Sequence, residues 1–511
     1  MTKARPGGYH VAMNSPFARP VLGTFAGYIA GLAANLVVSI LVARILGPAG
    51  AGVIVLVLTG PNILALVGNL GLARSISHFL RRRPFAAERV VGFSAGINVL
   101  VGIVLAGGYL AMLGWLGPHI GLNPERDWPV ALVAAMIIPF EIALQDWMAA
   151  CQGYQRFGQR AAILLTFRWV YAALAAGALL LLNPTPMGVV LAGLTAYFVT
   201  VIVGGIMVRG LLRSEPPAAR EVLSRRGWYL AILIGLAAGG AVWLGCHREL
   251  SAIQTAAMVG MGYYLIIQAK AARGGGGWRD VAAIADARLL VGYGWRVHIS
   301  AVILFLILRG DIYLVGALLG DSAQVGLYSR AGAVAEVAFY FLLAVENVLF
   351  PVLSGLPPQE IPAAAAALCR RGLLAGAALV FVFEAASHWL ILIPFGPQFA
   401  GSIAPLRILL PGVLAIGFVQ MLNSVFNALE RPWPPALVGA AGLVTMIALD
   451  FLWIPTWGIT GAALASLVAY GLTAAALAAW FSISTRRGMT EFFLPTAADA
   501  KALASLLRRS K

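Results

Sequence analysis

Six charged side chains lie where apolar sequence flanks them on both sides: Arg168, Arg309 and Arg330, and Glu141, Asp311 and Glu336. An ionised group in such a run is expensive and demands a partner or a task. The arginines suit charge-assisted, often bidentate contact with an anion, for which a planar guanidinium is better shaped than an ammonium. The acids suit ion pairing with those arginines or the uptake of a proton or sodium ion. Arg309 and Arg330 lie eleven and ten residues either side of Gly320. At helical rise this sets both roughly 15 Å below one surface on adjacent helices, with Arg168 at a like depth from the other. Asp311 is level with Arg330 across the same hairpin, so an Asp311–Arg330 ion pair is the competing expectation, whereas Arg168 and Arg309 have no level partner on theirs. Asp146, Glu346, Glu384 and Asp450 are further acids at depth. Arg44, Arg74 and Arg296 lie close enough to helix ends to snorkel.

The elements that must position these groups follow from composition. With 511 residues, 60% hydrophobic and 11% charged, and a mean hydropathy of +0.87, the chain has too little polar surface for a soluble globule of its length. Apolar runs long enough to span a bilayer recur throughout, and each must be helical because lipid satisfies no backbone groups. The expected fold is an all-α membrane protein of about 14 transmembrane helices, in two pseudo-symmetric six-helix lobes plus two connector helices. Residues 1–212 form the first lobe and 213–287 the connector, with its Gly-rich loop 273–278. Residues 288–484 form the second lobe and 485–511 a basic tail. The first run, from Phe17, is too long for a secretory signal and reads as a retained span.

The formal charge of +16 does not point to nucleic acid, because no basic groove module accompanies it. With spans numbered from a cytoplasmic N-terminus, 27 of the 36 Lys and Arg residues fall in inside segments. That bias sets both termini in the cytoplasm and turns 184–186 and 455–457 outside. Cys151, Cys246 and Cys369 show no CxxC spacing and read as small apolar residues. No cofactor or metal site is expected. The outer loops are too short to carry the catalytic acids of a membrane glycosyltransferase, and no enzyme constellation appears.

The chain repeats itself. ARILGPAGAGVIVL (43–56) matches the plan of RGDIYLVGALLGDSAQVGLYSR (309–330), with Leu46-Gly47 on Leu319-Gly320 and Gly52 on Gly326, about 273 residues apart. LNPTPMGVVLAGLTAYFV (182–199) echoes FLWIPTWGITGAALASLVAYGL (451–472) at an offset of 270, with Gly188 on Gly458. Duplicated halves in a membrane chain point to two lobes around a central path.

ARILGPAGAGVIVL with the following NLGLARSISHFLRR (69–82), the stretch from Arg309 extended to Val337, and IPTWGITGAALASLVAYG (454–471) resemble the multidrug/oligosaccharidyl-lipid/polysaccharide exporter superfamily, specifically its polysaccharide flippase branch, over residues 17–212 and 288–484. The resemblance implies a transporter that moves undecaprenyl-linked oligosaccharide from the inner to the outer leaflet by alternating access of a V-shaped cavity. It implies an inner-membrane location, an anionic diphosphate head group meeting Arg168, Arg309 and Arg330, and membrane lipids and other polysaccharide assembly proteins as partners. Drug or cation efflux, the activity of a sister branch, is the alternative. The cousin branch that flips the peptidoglycan precursor relies on cations in its first two helices, whereas here the first has none between Arg19, at its very start, and Arg44.

Overall fold

The computed structural model describes residues 18–82, 87–182, 184–213, 284–357, 359–431, 433–493 and 496. These are α-helical with short 3-10 turns and, among the described residues, no strand. Ten helices are long and apolar enough to cross a membrane. Two of them, α1 (Ala18–Gly68) and α13 (Trp433–Thr485), contain one non-helical glycine each, Gly47 at φ 67 and Gly458 at φ 59. Each half is long enough to cross alone, so the described residues make twelve crossings. The expected connector helices lie within 214–283, outside the described residues, as does most of the basic tail.

The helices between are α2 (Leu72–Arg82), α3 (Ala87–Leu116), α4 (Pro124–Ala135), α5 (Ile137–Gly153), α6 (Phe157–Leu181) and α7 (Pro186–Arg213). After the connector come α8 (Ile284–Arg309), α9 (Asp311–Leu319), α10 (Ser322–Ser354), α11 (Ile361–Phe395) and α12 (Ile403–Ala428). Helices α1 to α7 pack on one another and α8 to α13 do likewise, with α1 against α10 the main contact between the two groups. Large apolar side chains such as Trp115, Phe381 and Ile483 stay exposed on the outside, as a lipid-facing surface requires.

Local sequence explains the turn between α9 and α10. Gly320 ends α9 in the left-handed region at φ 63, its N–H returning to the Gly316 carbonyl. Asp321 then caps α10 by accepting from the Ala323 N–H at 2.8 Å. Gly47 also ends the first half of α1 at positive φ, 67, but with ψ −172 where Gly320 has ψ 19, so the matched glycines both turn the chain with a conformation open to glycine, though not the same one. Gly188 and Gly458 do not. Gly458 is the turn itself, whereas the first-lobe chain turns after Leu181 and Gly188 lies inside α7.

Three expected spans are interrupted: the second, the apolar run 50–80; the fourth, 128–151; and the first of the second lobe, 288–319. The second, read as Gly50 to Leu80 with a kink at Gly60-Pro61, stays helical through Pro61 and breaks at Asn69–Gly71, where Leu70 and Gly71 have φ of 50 and 76. The Asn69 side chain drives the break, accepting from the Ala73 N–H at 2.9 Å to cap α2. The fourth divides at Met136. The span read as Arg288 to Leu319 starts at Ile284 and divides at Gly310.

Candidate functional site

The Gly310 break lies between Arg309 and Asp311 and frees carbonyls that a continuous helix would use. Tyr470 donates its hydroxyl to one of them, Ile307, at 3.0 Å. Arg309 pairs with Glu336 on α10 at 2.5 Å, so the expectation that it lacks a partner fails. Both side chains keep about a third of their surface, 36% and 28%. Asp311 is buried and accepts hydrogen bonds from Tyr328 and, at 3.4 Å, from Ser466.

The Asp311–Arg330 pair does not form. Arg330, 6% exposed, points across the boundary between the two helix groups and donates to Ser39 of α1, to its hydroxyl and, at 3.3 Å, to its carbonyl oxygen. The Phe395 ring lies under the guanidinium at 6.0 Å, and Tyr171 of α6 interacts with it electrostatically. Its Nε is buried with no partner among the described residues. The geometric reason is that α10 packs against α1, which brings Ser39 within reach of Arg330.

Arg168 lies on α6, half-buried, with its stem against α1. A Cβ on Gly31 would sit 2.9 Å from the Arg168 Cδ, so that glycine makes room for a side chain and not for a neighbouring helix backbone. Beside Arg168 stands Tyr197, hydrogen-bonded to Glu141, which also accepts from Gln145 at 3.1 Å. Phe167 and Tyr171 stack at 6.1 Å on the same helix. The structure thus divides the six charges into Arg168 with Glu141 in the first group, Arg309, Glu336 and Asp311 in the second, and Arg330 at the boundary.

Several polar groups carry weight that charge alone did not reveal. Asp450 is fully buried, interacts electrostatically with Asp311, and has no hydrogen-bond partner among the described residues on either carboxylate oxygen. Asp146 is held by Asn69 at 3.1 Å and by Ser94 and Asn98, which ties α3 and α5 to the α1–α2 break. Asn69, Ser94 and Asn98 are uncharged, and their one sequence signal is polarity inside an apolar run. Arg44, read as snorkelling, is exposed and also donates to the Pro394 carbonyl at 2.7 Å and to that of Ile393 across the boundary. Arg74 is exposed, as snorkelling requires. Cys151 and Cys369 are buried free thiols, and Cys246 lies outside the described residues.

Residues 278–404, which contain the Gly310 and Gly320 turns, match the family described as polysaccharide biosynthesis protein. Among curated proteins none matches the chain. Solved structures with this fold include an inward-facing multidrug resistance MATE family transporter of the MOP superfamily. Its TM-score is 0.63 at 13% identity, over 91% of this chain and 98% of that one. Lipid II flippase MurJ in an inward closed conformation gives 0.65 at 10% identity, over 93% of this chain and 89% of that one. An outward-facing MATE transporter gives 0.54 at 13% identity, over 92% and 94%.

Proposed function

We propose that this chain, a multi-pass membrane transporter with the fold of the MOP superfamily, flips an undecaprenyl-linked oligosaccharide from the inner to the outer leaflet of the inner membrane for surface polysaccharide assembly, with both termini cytoplasmic. The observation that carries this reading is Arg330: a buried guanidinium at the lobe boundary, with a serine and two aromatic rings around it and, among the described residues, no carboxylate hydrogen-bonded to it, Glu336 acting on it only through its field. A buried cation kept without a fixed anion is reasonable where an anionic cargo neutralises it in transit. The match of residues 278–404 to a polysaccharide biosynthesis family supports the same cargo.

On this reading the diphosphate head group takes the guanidinium from Ser39. Because that bond crosses the lobes, its loss frees them to move. Arg168 offers a second cation from the first lobe, and Arg309 a third once Glu336 is displaced. Glu141 and Glu336 serve as hydrogen-bonding and ion-pairing partners. The driving ion, a proton or sodium, is taken at Asp311 and Asp450, where both Asp450 oxygens stand buried and unpartnered.

The test is a deletion strain complemented with the parent, Arg330→Gln or Arg168→Gln, scored for accumulated lipid-linked oligosaccharide beside an immunoblot. Accumulation at parental protein level supports the flippase. Normal export by the double variant, or drug hypersensitivity of the deletion strain without any accumulation, overturns it, the latter in favour of efflux.

A further inference from the structure

We infer that two glycine seams at opposite ends of the lobe boundary are the gates of this transporter, and that Arg44 and His298 are the polar latches that hold them shut. The inference does not depend on the cargo.

At the end bearing the Gly47 and Gly320 turns, Gly52 of α1 faces Gly326 of α10. A Cβ on Gly52 would overlap the Ser322 carbonyl and stand 3.1 Å from the Gly326 nitrogen. One on Gly326 would overlap the Pro48 carbonyl and stand 3.1 Å from the Gly52 nitrogen. The two lobes therefore meet backbone to backbone through the very glycines that the repeat pairs. Beside this seam Arg44 donates to the Ile393 and Pro394 carbonyls, which belong to the last turn of α11 and have no partner within that helix. Gln398 donates to the Ala43 carbonyl at 2.9 Å and Tyr313 to the Leu56 carbonyl at 2.7 Å.

The opposite end, which carries Arg81 and Arg82, is built likewise. A Cβ on Gly294 of α8 would overlap the Gly71 carbonyl and lie 2.7 Å from the Ser75 hydroxyl. His298, one turn along α8, bonds through Nε2 to the Leu66 carbonyl at 2.8 Å. The α1–α2 break frees that carbonyl, since the Leu70 N–H turns to Val67 instead.

Each latch thus donates to a carbonyl that its own helix end leaves unsatisfied. Shutting a seam satisfies that group within the protein, and opening hands it to water, which reaches helix ends but not the middle of the boundary. The two seams use different partners on the second lobe, α9 to α11 and the turn after α11 at one end and α8 at the other, with the Gly310 break between α8 and α9, so either can part while the other holds. Both are shut in this structure.

Distance measurements by paired spin labels test this on full-length protein in lipid nanodiscs, with the three cysteines replaced by alanine. Labels at Thr185 and Thr456 report the turn end, and labels at Gln155 and Glu430 the basic end. Gly52→Ala should lengthen the first distance alone, and Gly294→Ala the second alone. Arg44→Gln, which adds no bulk, should raise the open-to-shut ratio at the turn end about tenfold through lost charged hydrogen bonds. Gly332→Ala, whose Cβ meets nothing within 4 Å, should move neither. Both distances lengthening together in one variant would mean a single rigid interface and would overturn the proposal, as would no change in either. If Gly52→Ala does not fold, Arg44→Gln decides alone, and an unchanged turn-end distance sinks the latch.

Discussion

Replacing Arg330 with methionine keeps much of its volume and removes its charge, and the structure sets opposite expectations for stability and transport. Two hydrogen bonds to Ser39 are lost, each about 1.5–3 kcal/mol from a charged donor. Against this, burying an ion that lacks a carboxylate partner costs several kcal/mol, which the substitution recovers. The two nearly cancel, so thermal and denaturant midpoints in detergent should stay within about 1 kcal/mol of the parent. Transport should not survive. If the guanidinium holds the head group, loss of one charge-assisted contact of 1.5–3 kcal/mol lowers export roughly 10- to 100-fold. Arg330→Lys should fall between, since it keeps the charge but not the fork. Because Arg330 bonds Ser39 and not Asp311, the effects of Arg330→Gln and Asp311→Asn on stability should add within about 0.5 kcal/mol. The assay pairs accumulated lipid-linked oligosaccharide with a melt of the purified variant. Parental export by Arg330→Met, or its destabilisation by more than about 3 kcal/mol, would show a structural charge instead.

Glu336→Gln leaves Arg309 uncompensated, and since both side chains keep about a third of their exposure the loss should be about 1 kcal/mol, seen as lower membrane abundance that Arg309→Gln in addition restores. Gly31→Ala places a methyl 2.9 Å from the flexible Arg168 Cδ; export should drop while the melt is unchanged, and equal loss of both would show that the site is only packed. Asp450→Asn removes a buried carboxylate with no partner, so stability should hold or rise while export stops responding to the ion gradient. Cysteines at Thr185 and Thr456 should react with an impermeant thiol reagent in whole cells and one at Arg82 should not; the reverse pattern would invert the topology.

Composition and apolar run length made the helices legible because in lipid no other backbone solution exists. The repeat was legible for a related reason: Gly47 and Gly320 must both turn the chain at positive φ, and few other residues do so freely. Helix interruptions were not. Asn69 and Gly310 look unremarkable in sequence, and their effect depends on Asp146 and Tyr470, which arrive from distant helices. Partner choice was the least legible. Depth along a hairpin sets Arg309, Asp311 and Arg330 at one level, but which way each points depends on helix rotation, which residue spacing does not give, and Arg330 bonds Ser39 on another helix.

The seam between Gly52 and Gly326 joins residues made far apart in time. At roughly 5–20 residues per second, about 15 to 55 s pass between the synthesis of one glycine and the other. Through that interval the groove at Gly52 has lipid where it will later have the second lobe. The first lobe must therefore hold its shape in the bilayer without its mate, and the buried ties from Asp146 to Asn69, Ser94 and Asn98 lie wholly within the portion already made. The seam can then be reserved for motion, because nothing in the birth of the first lobe relies on it.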